Sequence, residues 1–231
     1  MKLYYILAFG TLLCSQLCSS ASAAMASEEP YNSGIVIRWK DCKQRIDGFG
    51  IAQAGWAKEL FAFKNREQVM DKMFGKDGLR LNILRGEIFP HYWENETDKD
   101  FNLNDDIHIE LSDSDFINKS DDLLRRGQLW LTLKAKNKYH ISKLVFSTWS
   151  APAWMKSNGK VSNGRLKTEC YTDFANYLAA FYNAYKSKGI APYAISPSNE
   201  PGYAAPWNSS LWTADEMGKF ITSYLGPTFR K

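Results

Sequence analysis

Histidine and cysteine are scarce in this 231-residue chain, at three and four residues. His91, His108 and His140 share no ligand spacing. Cys14 and Cys18 fall in the amino-terminal apolar stretch, and Cys42 and Cys170 make neither a C-x-x-C pair nor a zinc-ligand pattern. No metal site and no cofactor is therefore expected. An excess of one charge is lacking too: 29 Lys and Arg face 25 Asp and Glu, mixed along the chain with no basic stripe, which argues against nucleic acid as a partner. The apolar run at residues 3–13 is too short for a comfortable membrane span, and Gln16, Ser19 and Ser20 prevent its extension toward residue 20. With Lys2 ahead of it and Ala21, Ser22, Ala23 and Ala24 behind, it reads as a signal peptide over residues 1–23, predicting a secreted or periplasmic protein. Leu13 and Leu17 precede the two early cysteines where a lipidation signal has small residues, so release is expected over lipidation. A glycine-rich phosphate fingerprint is also missing. GFGIAQAGW lacks a third glycine at the right spacing, and no acidic residue closes a next strand, which ranks a doubly wound nucleotide-binding sheet low.

What is present is enough apolar residue, 45% of the chain with 14% aromatic, to bury one sizeable core. Ile35, Ile37 and Trp39 alternate and predict a short strand, placed in an N-terminal segment over residues 24–44 that joins a side domain. RIDGFG, residues 45–50, reads as the next strand, closing on glycines. From there a strand–helix rhythm sets in. Val69, Met70, Met73 and Phe74 predict a helix over 66–74 ending at Gly75, and LRLNILR, residues 79–85, a buried strand. A long polar loop leads to a helix over 116–138 with Gly127 as a weak point, and LVFSTW, residues 144–149, follows as a strand. Phe174, Tyr177, Leu178, Phe181 and Tyr185 share one face of a helix over 171–188 stopped by Gly189, and residues 193–196 return as a strand. Thr213 and Glu216 form a T-x-x-E capping box for a last helix. Strands regularly separated by helices predict a parallel α/β sheet. Four such units, over residues 45–231, are about the first half of a (β/α)8 barrel.

In such a barrel, functional groups sit at the carboxyl ends of the strands. Those ends carry Arg85 and Glu87, Trp149, and then Asn199 and Glu200. A carboxylic acid that gives a proton to a departing oxygen must stay protonated, which asks for partial desolvation or a neighbouring negative charge. Glu200 is placed for this at the end of an apolar strand, with Pro201 biasing its backbone away from helix. Glu87 is a candidate for binding a ligand hydroxyl, or equally for an ion pair with Arg85. Flat rings offer packing surface to the apolar face of a ligand. Tyr203 is favoured for that role, Trp207 and Trp212 are evenly balanced between it and packing, and Trp154 is assigned to the core.

Four stretches, in order, resemble glycoside hydrolase family 30, a clan A family that includes glucuronoxylanases, β-1,6-glucanases, β-1,6-galactanases and glucosylceramidases. They are DGFGIAQAGWAKEL (47–60), LRLNILRGE (79–87), STWSAPAWMKSNGKVSNGRLK (147–167) and AISPSNEPGYAAPW (194–207). The resemblance implies a retaining hydrolase of β-linked glycans acting on a polysaccharide or oligosaccharide. It implies Glu200 as general acid/base and Asn199 as the hydrogen-bond partner of the sugar 2-hydroxyl. It further implies Trp149 lining the sugar site and Arg85 orienting the carboxylates.

The retaining reaction needs a second carboxylate roughly 5 Å from the first. The resemblance implies that this nucleophile lies on a later strand. Glu59, Glu169 and Glu216 are expected on helices or outer loops, so a chain truncated before its nucleophile, and inactive alone, is expected. Substrate signals are mixed. GFGIAQAGWAKEL resembles xylan-cleaving members, whereas SNGKVSNGRLK resembles sphingolipid-cleaving ones. IFPHYW around Tyr92 stands where glucosylceramidases have an aspartate gripping a terminal glucose. An endo-acting xylan or glucuronoxylan hydrolase is the expectation, with β-1,6-glucanase, β-1,6-galactanase or glucosylceramidase-type activity as alternatives. An inactive carbohydrate-binding remnant is the rival of another class.

Overall fold

The structure, a computed structural model, describes residues 37–53, 56–93 and 120–230, with the side chains of 120–126 left out. The residues read as a signal peptide, Ile35 and most of the polar loop after residue 93 lie outside the described residues. The chain divides into two units, Met1–Gly48 and Phe49–Lys231.

In the first unit, the strand expected through Ile37 and Trp39 is replaced by a turn: Asp41 N–H bonds back to Arg38 O at 3.0 Å, and both apolar side chains are exposed. A three-residue return of this kind spends the backbone groups that a strand needs for its ladder. Cys42, in the first unit, is exposed, and Cys170, in the second, is buried.

The second unit holds a four-stranded parallel sheet, β1 (Gly50–Ala52), β2 (Ile83–Ile88), β3 (Lys143–Thr148) and β4 (Ala194–Ser196), in spatial order β1-β2-β3-β4. The order never reverses, as in a winding barrel; a doubly wound sheet needs a reversal. Between strands come α1 (Ala57–Ala62), α2 (Arg66–Phe74), α3 (Ser120–Tyr139) and α4 (Tyr171–Ser187). α5 (Ala214–Phe220) follows β4 and continues through a π turn, Ile221–Leu225, into the short α6 (Gly226–Phe229).

Two strands differ from expectation in position. Of RIDGFG only Gly50 is in β1, and β2 starts at Ile83, not Leu79. Leu79 is exposed and Arg80 has φ +54, a left-handed kink that no strand tolerates. Pairing of Gly50 with Ile83 then fixes where both strands begin. The helix expectations for α2 and α4 and the Thr213–Glu216 capping box hold to within a residue, and Gly189 (φ +79) ends α4.

The core lies between the sheet and its helices. Leu84 and Ile88 of β2 and Leu144 and Phe146 of β3 are buried on the helical side. They meet the face of α4 made by Phe174, Tyr177, Leu178, Phe181 and Tyr185, none more than 1% exposed. Phe146 packs edge-on against Phe181 and Tyr185 at 5.1 and 4.9 Å between centroids. Such side chains stabilise by about 1.5–3 kcal/mol each when fully buried. Gly127 is not a weak point in α3. A Cβ there would lie 2.6 Å from Ala57 O, so it is where α1 crosses α3 backbone to backbone.

Candidate active site

Side chains alternate along a strand, so Arg85 and Glu87 of β2 share the face opposite Leu84 and Ile88. The register sets Arg85 beside Val145 and Glu87 beside Ser147, which itself pairs with Ser196 of β4. Near its carboxyl end the inner face is therefore polar and small, where a parallel sheet is ordinarily apolar on both sides.

Three of the residues singled out from the sequence converge. Arg85 Nη2 donates to Asn199 Oδ1 at 2.7 Å, and the Arg85 guanidinium lies over the Trp149 ring at 4.6 Å from its centroid. Asn199 is held at its backbone as well, its N–H bonding to Thr148 O at 2.7 Å, so the ends of β3 and β4 are tied together. One cation thus bridges the ends of β2, β3 and β4. An arginine suits this because its planar group stacks on a ring while its edge donates hydrogen bonds.

Glu200 comes next in the chain and has φ +42, a left-handed conformation that costs a residue with a Cβ about 1–3 kcal/mol. A turn, Tyr203 N–H to Glu200 O at 2.9 Å, holds it there, and Trp212 N–H bonds to Pro201 O at 2.9 Å. The expected extended backbone ahead of Pro201 is thus replaced by a tight turn. The side chain is exposed, so the desolvation expected of a proton donor is absent among the described residues. β4 is an edge strand, and no described strand covers its outer side.

Glu87 is buried at 8% exposure, and its backbone is gripped by a side chain. Gln128 Oε1 accepts from Glu87 N at 2.6 Å while Gln128 Nε2 donates to Glu87 O at 2.7 Å and to Tyr185 Oη at 3.0 Å. The β1 side of β2 is served by Gln53 N–H to Arg85 O at 2.8 Å, where β1 ends; two residues on, the Gln128 amide replaces the missing strand. Gly86 makes room for it, since a Cβ there would meet Phe146 at 2.6 Å and Gln128 Oε1 at 2.9 Å. Sequence reasoning misses this clamp, although a signal for it exists: Gln128 is a polar residue among buried positions of α3, beside Leu129 and Leu131.

The aromatic candidates separate. Tyr203 and Trp207 are exposed at 52% and 55%, with centroids 6.2 Å apart. Trp212 is 8% exposed among Tyr171, Phe174 and Phe220, a core residue. Trp154 packs against the core, its indole N–H bonding to Trp93 O at 3.2 Å. Glu59 is in α1, Glu169 in a 3-10 turn and Glu216 in α5, all away from the strand ends. Among the described residues no group of three or more His, Cys, Asp or Glu side chains could hold a metal ion, and no helix is long and apolar enough to cross a membrane.

A parallel, sequentially wound four-stranded sheet with polar groups gathered at its carboxyl edge is the arrangement of part of a TIM barrel. The family model described as "Glycosyl hydrolase family 30 TIM-barrel domain" matches residues 46–231, and the chain belongs to that family. A Caenorhabditis elegans protein assigned as glucosylceramidase 3 is 29% identical over 221 residues, covering 90% of this chain and 41% of its own length. Glucuronoxylanase XynC of Bacillus subtilis (strain 168) is 27% identical over 221 residues, covering 93% and 43%. The solved structure of SrfJ from Salmonella typhimurium superposes with a TM-score of 0.60 at 28% identity, over 84% of this chain and 45% of that one. The endo-β1,6-glucanase BT3312 reaches 0.64 at 24% identity over 81% and 42%, a likeness of fold. The chain thus spans under half the length of the relatives it matches.

Proposed function

We propose that this chain carries the acid/base half of a retaining glycoside hydrolase that cleaves β-linked glycans, with Glu200 as general acid and then base. The observation that carries the reading is the junction of Arg85, Asn199 and Trp149 directly before Glu200, at the carboxyl end of the sheet. In the proposed mechanism Glu200 protonates the departing glycosidic oxygen while a second carboxylate attacks the anomeric carbon; Glu200 then takes a proton from the water that releases the sugar. The nucleophile is assigned to a later barrel strand, outside these four units. Asn199, oriented by Arg85, donates its amide N–H to the sugar 2-hydroxyl, a bond that strengthens as oxocarbenium character develops. Its Oδ1 already accepts from Arg85, so the Nδ2 donors are the ones free to face the sugar. Trp149 supplies a ring wall stiffened by the guanidinium on its face. The glycan, together with the later strands, supplies the cover that Glu200 lacks.

An endo-acting hydrolase of xylan or glucuronoxylan is the substrate reading, supported by the glucuronoxylanase relative and by Tyr92. That residue is 6% exposed and packs near Phe181 at 6.3 Å, so the segment after β2 offers packing and no grip for a terminal sugar at Tyr92. Exposed Tyr203 and Trp207 supply flat surface for further sugar units, as an endo mode requires. β-1,6-Glucan, β-1,6-galactan and glucosylceramide are the alternative substrates, and the protein acts outside the cytoplasm. The test is reducing-end release from glucuronoxylan, arabinoxylan, β-1,6-glucan and β-1,6-galactan by the full reading frame, with and without Glu200→Gln. Release is expected on one of these glycans, lost in the variant. Wild-type binding without release favours the carbohydrate-binding remnant, and undiminished release by Glu200→Gln removes Glu200 from the reaction.

A further inference from the structure

Lys156 has no part in the proposed chemistry, yet its side chain is completely buried, at 0% exposure. Its ammonium donates to Ser150 Oγ at 3.0 Å and to Ser209 O at 2.7 Å, and no carboxylate among the described residues lies within ion-pair distance of it. Lysines are almost never buried without a countercharge, because an ammonium removed from water loses its hydration. An apolar stem of the same volume would pack there without that cost. What the ammonium supplies, and a methionine cannot, is simultaneous attachment to oxygens on two separate loops.

Those loops carry the aromatic walls. Ser150 immediately follows Trp149 in the loop after β3, and Ser209 lies two residues past Trp207 in the loop after β4. The first loop folds into a hairpin, with Lys167 N–H on Met155 O at 2.9 Å and Ser157 N–H on Arg165 O at 2.8 Å. Its tip pairs with the second loop: Ser209 N–H bonds to Val161 O at 3.0 Å, Leu211 N–H to Gly164 O at 2.9 Å and Asn163 N–H to Ser209 Oγ at 2.9 Å. Lys156 lies at the root of the hairpin and closes the other end of this contact.

We propose that Lys156 is a positioning residue whose buried ammonium clasps the loop after β3 to the loop after β4, setting the spacing between Trp149 and the Tyr203–Trp207 pair along which an oligosaccharide lies. The clasp stands on the contacts alone; its service to sugar binding rests on the proposed glycan hydrolysis. Hydrogen exchange on wild type, Lys156→Met and Ser150→Ala tests the clasp. The amides of Ser157, Asn163, Ser209 and Leu211 lose at least tenfold protection together in Lys156→Met while those of β2 and β3 keep theirs. Ser150→Ala, which keeps the cation and the core volume, shows the same pattern at smaller amplitude and decides the matter should Lys156→Met not fold. Unchanged protection in both loops, or an equal loss throughout the sheet, overturns the clasp. Tryptophan-fluorescence titration with β-1,4-xylohexaose and a β-1,6-linked glucohexaose tests its service: Lys156→Met weakens binding at least tenfold at unchanged tryptophan burial. Unchanged affinity with loosened loops overturns the positioning role. A wild-type protein that binds neither sugar overturns the glycan reading, and with it that role, leaving the exchange pattern to decide the clasp.

Discussion

Glu200 holds a left-handed backbone that its side chain makes costly, and as an exposed residue it returns little packing for that cost. Strain kept at one position of a strand end is a common mark of a residue selected for placement over stability. Glu200→Gly relieves it and is expected to raise stability by about 1 kcal/mol in urea unfolding while removing the acid; a glycine variant less stable than wild type contradicts the strain. Asn199→Ala takes away a donor that strengthens in the transition state and is expected to lower kcat/KM by about 2–4 kcal/mol. A KM rise at unchanged kcat would instead make Asn199 a ground-state contact. Lys156 gives a pH signature. Burial pushes its ammonium down to about 8 from 10.5, so the folded state sheds this proton before the unfolded state does. The charged form therefore weighs against folding below pH 8, and the penalty fades as pH rises from about 8 to 10.5. Wild type should gain up to about 3 kcal/mol relative to Lys156→Met across that window. A parallel pH dependence in the two proteins would show that the ammonium is not desolvated.

At the scale of elements, the glycines and the cap carry the tests. Gly127→Ala brings a methyl against the Ala57 carbonyl and should destabilise by about 1–3 kcal/mol, even though alanine favours helix by about 1 kcal/mol. A stabilised variant would mean that α1 and α3 do not cross there. Thr213→Ala removes the side-chain acceptor of Glu216 N–H and should cost about 1 kcal/mol by thermal unfolding. Elements differ in how far they can be read from sequence. α4 is legible because its apolar face repeats at helical spacing over its whole length, and the cap because its two residues interact locally. β1 and β2 start five and four residues later than the sequence pattern puts them, because their limits come from pairing between chain segments some thirty residues apart, which local alternation does not encode. α1, only six residues long behind β1 and a glycine-rich stretch, leaves too short a pattern to read. Arg85, Asn199 and Trp149 are legible as strand-end residues, but their contacts are not, and Lys156 in WMKSNG reads as an ordinary surface lysine until residues 208–211 cover it.

At the scale of the whole molecule, four sequential parallel strands present two edges, β1 and β4, and the acid/base candidate stands on the second of them. Completion of the site falls to later strands in the proposed mechanism, consistent with the 41% and 43% of the C. elegans and B. subtilis relatives that the chain covers. In the proposed reaction Glu200 moves a proton to the leaving group and back. The most direct measurement is the leaving-group dependence of Glu200→Gln in the full reading frame, comparing an unactivated glycan with an aryl glycoside whose phenol leaves without protonation. A general acid predicts a loss of several orders of magnitude on the glycan and a much smaller loss in the glycosylation step on the activated substrate. Equal losses on both substrates would contradict it and make Glu200 a binding or structural residue.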